Sequence, residues 1–154
     1  MVVSFLAFLT WSRYLSPDAR ATRAQQEAVR EIMRNQDNYE AAMRADTYGG
    51  KTPEETLKMF ADAVASGNND LAVKFLEFDY SGKPKKELED GFKKAIQDGK
   101  KELMLEVINK AEFDPQASDE NYAWFDVVGK DGMAEYSICL SLNRYAYIWK
   151  VKSM

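Results

Sequence analysis

Residues 133–152 read MAEYSICLSLNRYAYIWKVK, and they alternate twice. Ala134, Tyr136, Ile138, Leu140 and Leu142 fall on one side of the first run, and Tyr145, Tyr147, Trp149 and Val151 on one side of the second. A period of two marks a half-buried strand. With Asn143-Arg144 as a tight turn, the stretch predicts an antiparallel hairpin. Upstream, Asn121 to Val128 reads as another strand, joined through the turn Gly129-Lys130-Asp131-Gly132. Its facing stays open: either Ala123, Phe125 and Val127 point inward, or Tyr122, Trp124, Asp126 and Val128 do. Lys101 to Phe113 reads as the first strand, with Leu103, Leu105, Val107, Ala111 and Phe113 on one face. Short links between successive strands imply a four-stranded antiparallel meander.

Before Gly99 the period is helical. Thr52-Pro53-Glu54-Glu55 is a capping box, with the threonine hydroxyl accepting from the third helical N–H and Glu55 reaching back. Leu57, Phe60, Ala61 and Val64 then share a face, and Gly67 ends the helix. Asn69 caps a short second helix, and a third runs from Pro84 to about Asp98. A sheet of this kind buries one face, and three helices can cover it. The expectation is an α+β domain over residues 51–154 with one core. That core holds Leu57, Phe60, Val64, Leu88, Phe92, Leu105, Val107, Ile138, Leu140 and Trp149.

Residues 16–48 read as a helical stalk. Ser16-Pro17-Asp18 is a helix start, and no glycine or proline follows before Gly49-Gly50. Its apolar stripe of Val29, Ile32, Met33, Tyr39 and Met43 is thin, as suits a partly solvated helix. Up to Arg44 every basic residue is arginine, and from Lys51 onward every one but Arg144 is lysine. That shift sets a boundary near residue 50. The opening run MVVSFLAFLTW is apolar but shorter than the roughly 20 residues a span needs. Residues 1–15 therefore read as the tail of a membrane anchor. A signal peptide cut near Ala19-Arg20-Ala21 and a short packed apolar helix are the competing readings. The arginines after the run favour a cytoplasmic domain by the positive-inside rule. An extracytoplasmic, membrane-associated domain is nonetheless the expected placement.

Composition removes several chemistries. The chain has no histidine, hence neither the commonest general base nor the commonest metal ligand. Its one cysteine, Cys139, excludes an intrachain disulfide. A net charge of −4 lacks the basic stripe that nucleic acid demands. The acidic loop Asp114, Asp119, Glu120 and Asn121 lacks calcium-loop spacing, and no phosphate-loop or hydrolase motif occurs. No metal site and no cofactor are expected.

Pro53-Glu54-Glu55-Thr56 opening a helix, then Leu57-x-x-Phe60-x-x-Ala63, Ser66-Gly67-Asn68-Asn69 and the closing Tyr147-Ile148-Trp149-Lys150-Val151 resemble the cystatin-like, nuclear-transport-factor-two-like superfamily. Among its members the chain is most similar to membrane-anchored or lipoprotein-type bacterial ones. The resemblance covers about residues 51–152. It implies a curved, cone-like sheet around a long helix, with a pocket between them that serves isomerases, cyclases and non-catalytic binding modules alike. Asn109, Tyr136, Tyr145, Tyr147 and Trp149 would line such a pocket. Asp126 would be its one carboxylate base, with Tyr136 or Tyr147 donating to an oxyanion, if the second strand faces that way. The leading expectation is a non-catalytic, membrane-tethered binding or assembly domain for a small molecule or a protein. The alternative is an isomerase or cyclase using Asp126. Met104, Ile108, Cys139, Ala146 and Ile148, with Trp124 or Phe125, would form an apolar outer face fit for a homodimer.

Overall fold

Thr52 sits in extended backbone (φ −120°, ψ 158°), and its Oγ1 accepts from the Glu55 amide at 3.2 Å. The helix it caps runs Pro53–Ala65. The Glu55 carboxylate reaches one residue further back than a strict capping box, to the Lys51 amide at 2.7 Å. The computed structural model describes residues 17–79 and 82–154. Among them the protein is α+β, with five helices and one four-stranded antiparallel sheet. The helices are α1 (Pro17–Ala45), α2 (Pro53–Ala65), α3 (Asn69–Lys74), α4 (Lys86–Gln97) and α5 (Lys101–Lys110). The strands are β1 (Glu112–Asp114), β2 (Tyr122–Val128), β3 (Ala134–Asn143) and β4 (Ile148–Ser153), paired in that order. The expected anchor or signal over residues 1–15 lies outside the described residues, as does Ser16.

Three local expectations are corrected. The segment from Lys101 is a helix, and only Glu112–Asp114 of it pairs as strand. Leu103, Met104, Leu105, Val107 and Ile108 are apolar at spacings that satisfy both periods. Leu, Met, Glu and Lys are strong helix formers, and Glu106 and Lys110 pair at 2.6 Å one turn apart. The second correction is Asn68, which caps α3 with its Oδ1 3.1 Å from the Leu71 amide, where Asn69 was expected. The third is the hairpin end. The Asn143 carboxamide oxygen accepts from the Tyr145 and Ala146 amides at 3.0 and 3.3 Å, and Tyr147 takes φ 53°. This side-chain-capped turn keeps Tyr145 and Tyr147 out of β4.

The register decides the open facing of β2. Ala123 lies opposite Leu140 and Phe125 opposite Ile138, and all four are buried in the core with Val151. Leu57, Phe60, Val64 and Phe92 meet them from α2 and α4, while Leu88, Leu105, Val107 and Trp149 pack at the edge of the same cluster. All ten expected core residues thus share one core.

The chain divides into compact units at residues 1–38 and 39–154. The division falls inside α1, earlier than the glycine pair suggested. Gly49 and Gly50 are packing positions rather than a loose joint. A Cβ on Gly49 would stand 2.4 Å from the Trp149 carbonyl oxygen, and one on Gly50 would stand 2.6 Å from Glu55 Cβ. Gly50 takes the Trp149 N–H at 3.1 Å and gives its own to Thr56 Oγ1 at 2.8 Å.

Candidate functional site

Gly99, at φ 70°, ends α4 and turns the chain directly into α5. Lys101 Nζ then binds the Ala65 carbonyl at the end of α2 at 2.7 Å, which sets the start of α5. Ile108 is buried against the core, but Leu103, on the same helix, stays 46% exposed. On β3, Ile138 is buried whereas Tyr136, two residues earlier on that face, is 48% exposed. The uncovered strip between them is a groove of about 370 Å³. It is lined by Ala95 of α4, by Lys100, by Leu103, Met104, Val107 and Ile108 of α5, by Tyr136 and Ile138 of β3, and by Met154. Lys100 is the only charged side chain among them, and none is an acid. Its volume falls within the range of small-molecule pockets, and its lining is mostly apolar.

The expected site residues scatter. Tyr136 lines the groove. Trp149 packs against the core and is not part of the groove lining. Asn109 is exposed on α5 because the strand that would have turned it inward is a helix. Tyr147 is 69% exposed in the β3–β4 turn, and the Tyr145 ring lies 4.9 Å under the Arg44 guanidinium. Asp126 pairs with Ser137 and Glu112, on the sheet face opposite Phe125 and Tyr136. It is therefore brought near neither Tyr136 nor Tyr147, which leaves the acid–base constellation unassembled.

The expected apolar outer face is not assembled either. Met104 and Ile108 belong to α5 and face the core side. Cys139 and Ile148 do lie on the outer face but are covered by the chain itself. Burial pushes the Cys139 thiol above its ordinary range and keeps it an inert SH.

What covers that face was missed in the sequence. Lys150 is 1% exposed and pairs with Asp46 at 2.7 Å. Its ammonium also donates to the Tyr48 carbonyl at 3.0 Å and to the Lys74 carbonyl, and lies 4.7 Å over the Phe78 ring. Asp46 Oδ1 accepts from the Tyr48 amide at 2.9 Å, while Oδ2 has no partner besides the ammonium. Burial lowers the Lys150 pKa, and the hydrogen bond and charge of Asp46 oppose that shift. Nearby, Asn143 Nδ2 donates to the Met43 carbonyl at 2.8 Å. The one sequence signal was a lysine alternating with the apolar Ala146 and Ile148.

A second recess of about 290 Å³ lies on the outer face, lined in part by Tyr39, Glu77, Tyr122, Ser141 and Arg144. Its polar groups answer one another. Glu77 accepts from Ser141 Oγ at 2.9 Å and pairs with Lys85, and Arg144 Nε donates to Asn121 Oδ1 at 2.6 Å. Among the described residues no cluster of acidic or cysteine side chains could hold a metal ion. No helix among them is long and apolar enough to cross a membrane.

Fold and groove together define an α+β domain with an open apolar cleft between α5 and β3. Comparison with protein-family models, curated proteins and solved structures returns no match to this chain.

Proposed function

We propose that the protein is a non-catalytic binding domain, tethered to a membrane through residues 1–15, that takes a small apolar molecule into the groove between α5 and β3. The observation that carries this reading is the lining: eight of the nine side chains are uncharged, and two of them, Leu103 and Tyr136, are half exposed to what enters. Leaving such surface to water forgoes about 25 cal/mol per Å². The apolar run MVVSFLAFLTW supports the tether. Helices followed by a four-stranded meander support keeping the chain beside the cystatin-like superfamily. The enzyme alternative would need the Asp126 carboxylate on the groove side, and the register of β2 favours binding over it.

Titration with 1-anilinonaphthalene-8-sulfonate tests the groove. The wild-type chain should enhance the dye's fluorescence saturably. Leu103→Asp should abolish that response with the thermal midpoint retained, because Leu103 contributes little to the buried core. An undiminished response in the Leu103→Asp variant would refute the assignment.

A further inference from the structure

Residues 20–38 of α1 are exposed without exception, including Val29, Ile32 and Met33. In folded proteins most helical stability comes from packing an amphipathic face rather than from propensity. A face is present. Thr22, Gln25, Val29, Ile32 and Gln36 follow one another at alternating spacings of three and four, the a and d positions of a heptad. Every charge from Arg20 to Asp37 lies away from that seam. Arg20, Glu27 and Arg34 take position f, Arg23, Arg30 and Asp37 take position b, and Glu31 takes c. The flanking e and g positions hold only small or neutral residues: Gln26 and Met33, and Ala21, Ala28 and Asn35.

We infer that α1 pairs in parallel with α1 of a second copy of this chain, through the seam from Thr22 to Gln36. The seam itself selects the occupant. A lipid surface or an apolar segment would reward apolar side chains throughout, yet Thr22, Gln25 and Gln36 recur among Val29 and Ile32. A carboxamide both donates and accepts, so it is satisfied by its own image. In a parallel pair of identical chains each Gln meets the same Gln, and a polar a or d layer of this kind fixes register. Neutral e and g positions bring no like charges together when the sequence meets itself, and the alanines at g let the backbones approach. The inference rests on α1 alone and is independent of the groove.

Single cysteines in a Cys139→Ala full-length chain test it, in excess mild detergent so that residues 1–15 do not drive association. Gln25→Cys and Ile32→Cys should each give a disulfide-linked dimer on mild oxidation, and Arg34→Cys, at position f, should not. Ile32→Glu should lose the dimer measured by sedimentation equilibrium. A monomeric wild-type chain, or equal cross-linking at residues 32 and 34, would overturn the pairing. Cross-linking at 32 without cross-linking at 25 would overturn the parallel register.

Discussion

At the scale of single residues, Lys150 is the side chain whose environment differs most from its type. A buried ion pair adds little net stability, because desolvation offsets attraction, but removing one partner strands the other charge. Lys150→Met should therefore cost about 3–5 kcal/mol in chemical denaturation. The double variant Lys150→Met with Asp46→Asn should recover much of that loss, and a double variant as unstable as the single one would contradict the pairing. The titration has a definite sign. Burial lowers the Lys150 pKa below the ordinary 10.5, so in the window beneath that value the unfolded chain holds the extra proton. The contribution of Lys150 to stability accordingly rises with pH through the window. Lys93 and Lys110 are shifted upward, each first by its hydrogen bond to a glutamate, Glu89 and Glu106. Side-chain NMR should find Lys150 deprotonating before either of them. Phe60, fully buried between helices and sheet, should cost about 3–5 kcal/mol when truncated to alanine.

At the scale of elements, the legible parts were those with a strong local code. The Thr52 cap, the glycine stops and the alternation of β2 and β3 each depend on a few neighbouring residues. Thr52→Ala should lower stability by about 1 kcal/mol. Gly67→Ala should cost roughly 1–2 kcal/mol, although nothing stands near the added methyl, because its φ of 74° penalises any Cβ. Thermal unfolding of the two variants checks both values. Lys101–Lys110 was misread because five apolar residues in six fit either period, and the helix propensity of its Leu, Met, Glu and Lys and its i,i+4 pair were outweighed by the alternation. The start of β4 was misread because the Asn143 side chain, rather than a backbone pattern, shapes the turn. In the groove, Tyr136 was legible from its alternating position. Leu103 and Met104 were seen as apolar but assigned to a sheet, and Lys100 lay between elements with no pattern to mark it.

At the scale of the whole molecule, the unit boundary has a testable position. Met43, Asp46 and Gly50 all pack into the second unit, so residues 39–154 carry every interaction described for its core. A fragment 39–154 should keep the thermal midpoint of the full chain, whereas a fragment 51–154 should melt lower. It would lack Asp46 and leave the Lys150 ammonium buried without its carboxylate. Equal midpoints for the two fragments would place the boundary at the glycine pair after all.

The ties between residues 43–48 and the last strands span 100 residues for Asn143 with Met43 and 102 for Lys150 with Tyr48. Contacts this distant in sequence close late and slow the search for the native state. A ribosome releases α1 through α5 well before β4, so the helices form while Asp46 still faces water. The nascent chain holds local structure without its final lock. Strand β4 then arrives and performs three closures together: it completes the sheet, covers the core with Val151 and delivers the ammonium to Asp46. Until that moment the two inner strand faces are open to any chaperone or neighbouring chain that meets them.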